Sequence, residues 1–145
     1  MKPLLCTHRS SAAPDRVWEF ASDFANAAGR IQAITNVELL TQGPPGVGTR
    51  FREWRGRQVV EMEVVAWSPP RSYSLRGFAS GIEFTSAVRC LPIDGGTRLE
   101  MEIWVRPRAL MARLLTPLIY IVSRLMVRSC GKDLRDIATA AERER

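Results

Sequence analysis

ALMARLLTPLIYIVSRLMV, residues 109–127, is apolar enough to suggest a membrane span, yet it carries two arginines and a proline. Ten uncharged residues separate Arg113 from Arg124. At 1.5 Å per residue they extend roughly 15 Å, about half of a hydrocarbon core. A span would bury both guanidinium groups, so the stretch reads as a helix of a folded domain. On a helical wheel Leu114, Leu115, Leu118, Ile119, Ile121, Val122, Leu125 and Met126 form a broad apolar arc. Arg113, Arg124, Arg128, Lys132 and Arg135 gather in a narrow stripe beside it. Pro117 lacks the N–H that a helix interior needs. The helical pattern over residues 109–141 should therefore kink or break there, with a short lid-like helix before and a main helix that begins near Pro117. Two readings of the basic edge remain open: the solvated flank of a core helix, or a contact with an anionic membrane surface.

A long amphipathic helix needs an apolar surface to cover, and residues 35–106 supply one. NVELL, TRFREWR, RQVVEMEVVAW, RSYSLRGF, IEFTSAVRCL and TRLEMEIWVR are runs rich in β-branched and aromatic residues. Turn signals GPPGVG, SPP, ASG and DGG separate several of them. Six strands with tight connections imply an antiparallel meander. Within the last two, Phe84, Ser86, Val88 and Cys90, and then Leu99, Met101, Ile103 and Val105, share one face; Glu83, Thr85 and Arg89, and Glu100, Glu102 and Trp104, share the other. An exposed Trp104 would mark a contact surface.

Ahead of the meander, residues 3–8 read as an opening strand. SSAAPDRVWEFASDF reads as a short helix, with Ser10 or Ser11 as the cap, Pro14 in the first turn and an apolar stripe of Val17, Trp18, Phe20, Ala21 and Phe24. A second brief helical turn over residues 24–28 would end at Gly29. Strand, two short helices, six strands and one long helix fit a single α+β domain over residues 1–145.

Composition narrows the function classes. With 46% hydrophobic and 25% charged residues, the chain has the balance of a globular protein rather than a disordered one. The formal charge of +6 permits an anionic partner. No exposed stacking aromatics interleave with the basic residues as in single-strand binders, so nucleic acid is not expected. Cys6, Cys90 and Cys130 lie far apart, with no metal-ligand spacing, and read as reduced thiols of a cytoplasmic protein. Neither a metal nor a cofactor is expected.

AAPDRVWEFASDF, GPPGVGTRFRE, VVAWSPPRSYSL and IDGGTRLEMEI before a long C-terminal helix together resemble the START-like, polyketide cyclase/dehydrase-like superfamily (SRPBCC, Bet v 1-like). The resemblance covers nearly the whole chain. It implies a helix-grip fold: a strongly curved seven-stranded antiparallel sheet wrapped around the C-terminal helix, with a cavity between them for a hydrophobic small molecule. It also implies diversity, since the superfamily includes lipid carriers, sterol and hormone binders, aromatic cyclases and hydratases.

Candidate site residues follow from parity and from that resemblance. Phe51, Glu53, Met62, Tyr73, Phe84 and Met101 from the strands, with Leu118, Tyr120 and Val122 from the helix, are expected to line the cavity. The resemblance places Thr49, Phe51 and Glu53 on the inner face, which points a carboxylate into an apolar space. Desolvation should raise its pKa unless Arg55 or another donor answers it. Glu53 is thus a candidate acid or ligand anchor, or else a carboxylate paired with an inward arginine, and Tyr120 is a second group that could assist proton transfer. Glu61, Glu63, Glu100 and Glu102 read as outward partners of Arg50, Arg52, Arg98 or Arg106. His8, the only histidine, reads as structural, which leaves no nucleophile–histidine arrangement. Tyr73, Tyr120 and Ser123 read either as ordinary core edge or as hydroxyls offered to a ligand. The expected function is binding of a lipid, aromatic or polyketide-like molecule, with a cyclase or dehydratase as the alternative and a monomer or homodimer as the assembly.

Overall fold

The computed structural model describes residues 2–79, 82–107 and 116–143, of which 107, 116–120, 122 and 123 are described by backbone alone. The strands are β1 (Leu4–Ser10), β2 (Asn36–Leu39), β3 (Arg50–Arg55), β4 (Gln58–Ser68), β5 (Ser72–Ala79), β6 (Ile82–Ile93) and β7 (Gly96–Pro107). Between β1 and β2 lie helix α1 (Pro14–Ala21) and a 3₁₀ turn (Phe24–Gly29); after β7 comes helix α2 (Thr116–Arg143).

The seven strands form one sheet in the order β1-β7-β6-β5-β4-β3-β2, with every pair antiparallel. The meander expected between residues 35 and 106 is therefore present, and β1 returns to pair with its last strand. Two tight hairpins set the register. Gly56, with φ of 63°, takes the left-handed conformation in the two-residue loop joining Arg55 to Gln58. Gly95, with φ of 82°, does so in the Asp94–Gly95 loop. A bulge between Val64 and Ala66 adds local twist to β4.

The inner face carries the expected residues. Val88, Cys90, Leu99 and Ile103 are almost fully buried. The outer face is laced with ion pairs: Arg52–Glu61 at 2.6 Å, Arg76–Glu63 at 3.0 Å, Arg98–Glu100 at 3.0 Å and Arg89–Glu102. Glu63 lies opposite both Arg50 and Arg76 in the register and pairs with Arg76, and Glu102 pairs with Arg89, diagonal to it across β6, rather than with Arg106. Such surface pairs contribute roughly 0–1 kcal/mol each. Trp104 is half-buried on this outer face.

α1 starts at Pro14 without a side-chain cap. Neither Ser10 nor Ser11, the two expected caps, takes that role, and the Ser10 hydroxyl instead faces the other end of the chain. Ser10 Oγ donates to Glu142 Oε1 at 3.1 Å and accepts from the Ala12 N–H, while the Ser11 N–H donates to Glu142 Oε1 at 2.9 Å. These bonds tie the end of β1 to the end of α2 and hold the Glu142 carboxyl below its ordinary pKa.

Pro117 lies in the first turn of α2, where its missing N–H leaves no helical bond unmade. The segment expected before it falls on residues 108–115, outside the described residues. Downstream, Leu134, Ile137, Ala138 and Ala141 are buried at helical spacing, with α2 packed most extensively on β1 and also on α1 and β7. Arg124, Arg128, Lys132 and Arg135 are exposed or half-buried, and Ile121 and Leu125 are exposed. No helix among the described residues is long and apolar enough to cross a membrane.

Candidate functional site

A cavity of about 530 Å³ lies between the sheet and α2. Its walls combine β3 to β7 with α1, the 3₁₀ turn and α2. Phe51, Glu53, Met62, Tyr73, Phe84 and Met101, all expected to line a cavity, do line it. The side chains of Leu118, Tyr120, Val122 and Ser123 lie outside the described residues. From α2 the wall is built instead by Leu125, Met126, Ser129, Cys130, Asp133 and Ile137. The lining residues Gln58 and Leu125 are solvent-exposed and mark where the cavity meets the surface.

One end is an aromatic cluster. Phe24 stacks on Phe51 with centroids 4.7 Å apart, and its ring meets Tyr73 edge-on at 5.2 Å. Trp18 packs against Trp67 at 5.1 Å and Tyr73 at 5.8 Å. These contacts fix α1 and the 3₁₀ turn against β3, β4 and β5. The Tyr73 hydroxyl was read either as a ligand contact or as ordinary core edge. It donates to the Ala21 carbonyl at 2.8 Å, satisfying a helix-end acceptor that would otherwise be buried unpaired. The ring lines the cavity and the hydroxyl serves the fold; burial raises its pKa.

On the inner face Phe84 sits opposite Gly77 in the β5–β6 register. Its ring lies over the glycine so closely that a Cβ there would collide with it. Gly77 thus holds the Phe84 ring flat on the sheet and keeps the space in front of it open.

The polar part of the wall is a cluster around Arg55. Arg55 Nε donates to Glu53 Oε1 at 2.9 Å, and Nη2 donates to Asp133 Oδ2 at 2.5 Å. Nη1 makes longer contacts of 3.4 Å with Asp133 Oδ1 and Ser129 Oγ. Glu53 and Asp133 are each 4% exposed. Both carboxyls are raised above their ordinary pKa by desolvation, against the opposing pull of Arg55. Burial alone would lower the Arg55 pKa; its bonds to Asp133 and Glu53 outweigh that and raise it. A raised pKa and an answering Arg55 were expected as alternatives; in the structure Arg55 bonds to Glu53 and burial still raises the carboxyl.

Alternation along β3 put Glu53 and Arg55 on one face, so that half was legible. Asp133 was not singled out. Its signal was present, since Met126, Cys130, Asp133 and Ile137 recur at helical spacing and the aspartate interrupts an otherwise apolar stripe. Burial pushes the Cys130 thiol up to about 12. His8 is half-buried on β1 and does not line the cavity. No group of residues suited to hold a metal ion occurs among the described residues.

Known structures share this architecture. The Zhui aromatase/cyclase from Streptomyces sp. R1128 superposes with a TM-score of 0.83 at 19% identity, over 98% of this chain and 94% of that one. Ara h 8.0201 superposes with a TM-score of 0.77 at 15% identity, over 96% of both chains. TTHA0849 from Thermus thermophilus gives 0.71 at 19% identity, again over 96% of both. At these identities the likeness is one of fold. No curated protein matches the sequence. The family model described as polyketide cyclase / dehydrase and lipid transport matches residues 7–142, nearly the whole chain, and the protein belongs to that family.

Proposed function

We propose that the protein binds a hydrophobic small molecule between the sheet and α2. The observation that carries this reading is the cavity itself. Its volume of about 530 Å³ falls within the range of roughly 300–1,000 Å³ typical of small-molecule sites. Its walls are mostly aliphatic and aromatic, with one compact polar cluster, the combination that gives affinity through burial and orientation through a few fixed groups. The description of the family and the aromatase/cyclase among the structural neighbours agree with an apolar or aromatic ligand.

The test is titration with the neutral apolar fluorophore N-phenyl-1-naphthylamine, alongside native mass spectrometry of the purified protein. Saturable fluorescence enhancement is expected, and Met101→Trp, which fills the cavity from β7, should weaken it at least about tenfold. Unchanged binding in that variant would overturn the reading.

A second reading, a cyclase or dehydratase using the same cavity, is favoured by one observation: a buried carboxyl of raised pKa, Glu53, in a wall that is otherwise mostly apolar. Such an enzyme would use the cavity to fold a reactive chain and Glu53 to move a proton. Turnover of a poly-β-ketone substrate that is lost in Glu53→Gln, with ligand affinity retained, would establish it; equal product distributions with and without protein would exclude it.

A further inference from the structure

The polar cluster specifies which head group the cavity accepts, an inference that rests on reading the cavity as a small-molecule site. Among the described residues Arg55 is the single cation of the cluster, and two carboxylates already share it. Every bond it makes is to a neighbour within the protein: Glu53, Asp133 and Ser129. Asp23, the other acid at the wall, is likewise engaged, by Arg30 at 2.8 Å and by Asn26. The cluster therefore holds more acceptors than donors and more negative than positive charge. Glu53 shows the surplus most clearly. It is 4% exposed, its Oε1 accepts from Arg55, and among the described residues its Oε2 accepts no hydrogen bond.

An incoming carboxylate or phosphate would bring further negative charge and acceptors to a site that has no spare cation among the described residues, and it would have to break a buried ion pair to reach Arg55. A hydroxyl brings what is missing, a donor for the open oxygen of Glu53. We propose that the cavity selects apolar ligands whose polar end is a neutral hydroxyl, an alcohol or phenol, and rejects carboxylate and phosphate amphiphiles. Glu53 then acts as the acceptor that orients the ligand, and Arg55 as the residue that positions Glu53.

Displacement of N-phenyl-1-naphthylamine at pH 8 by 1-decanol and by decanoate, which share a chain and differ in the head, tests this. Decanol is expected to displace the probe at a concentration at least about tenfold lower than decanoate. In Glu53→Gln the gap should narrow, and in Glu53→Gln combined with Asp133→Asn, where Arg55 is the surplus charge, decanoate should become the better competitor. Decanoate competing as well as decanol in the wild-type protein, or decanol failing to compete, would overturn the head-group assignment while leaving the cavity reading intact. Failure of the probe to bind at all would instead remove the cavity reading on which it rests. The wild-type comparison is decisive even if a variant fails to fold.

Discussion

Arg55 Nη2 lies 2.5 Å from Asp133 Oδ2, a bond that links the end of β3 to the middle of α2 across 78 residues of chain. With Glu53 on its other side, Arg55 neutralises charge that the cavity wall would otherwise leave bare. Removing it should strand two buried carboxylates. Arg55→Met is expected to destabilise the fold by about 3–5 kcal/mol at pH 7, with a smaller loss at pH 4, where the carboxyls take up protons. Urea denaturation at the two pH values measures this; a loss below about 1 kcal/mol at pH 7 would show that the pair contributes little to the fold.

Acid should affect this cluster in a defined direction. Glu53 has a folded pKa above its unfolded value, so between the two values the native state binds more protons and stability rises as pH falls. Glu142 has the opposite sign: its pKa is lowered, and its contribution is present above the unfolded value and lost as pH falls through the folded one. In urea melts across pH 4–8, wild type should gain stability relative to Glu53→Gln toward acid and lose it relative to Glu142→Gln. A flat difference for either pair would contradict the corresponding assignment.

Gly77 should control cavity size through Phe84. Gly77→Ala places a methyl group where the Phe84 ring lies, so the ring must lift from the sheet into the cavity. Affinity for N-phenyl-1-naphthylamine should fall several-fold, and Gly77→Ala combined with Phe84→Ala should restore it. Equal affinity in Gly77→Ala and wild type would mean the ring has another place to go.

Tyr73→Phe separates structural from ligand-facing polarity. It leaves the Ala21 carbonyl without its donor, a loss of about 1–3 kcal/mol, while the ring face toward the cavity is unchanged. Thermal melting should register the loss and probe affinity should stay within about twofold. A large drop in affinity with unchanged stability would reassign the hydroxyl to the ligand.

The residues above were not equally legible. Phe51, Met62, Phe84 and Met101 could be placed by strand alternation, because a sheet with one covered face sorts its side chains with a period of two. Pro117 placed the start of the main helix, since it is tolerated only where the N–H has no helical partner. The hydroxyl of Ser10 was misread because a nearby cap fitted its type and a distant partner won, while that of Tyr73 was left between a ligand and the core edge because its partner lies on another element. Ser10 reaches Glu142 at the far end of the chain, and Tyr73 reaches Ala21.

By itself the sequence determined the elements and which face of each is apolar, since periodicity, turn residues and proline act over a few residues and leave a local record. It also determined that the long helix covers the sheet, there being no other apolar helix of that length to do so. Only the tertiary structure decided that Arg55 stands between Glu53 and Asp133, that Tyr73 serves α1, and that a cavity remains beside them. The physical reason is distance: ion pairing and packing depend on how a curved sheet brings β3 to α2, and nothing in either segment alone encodes that separation.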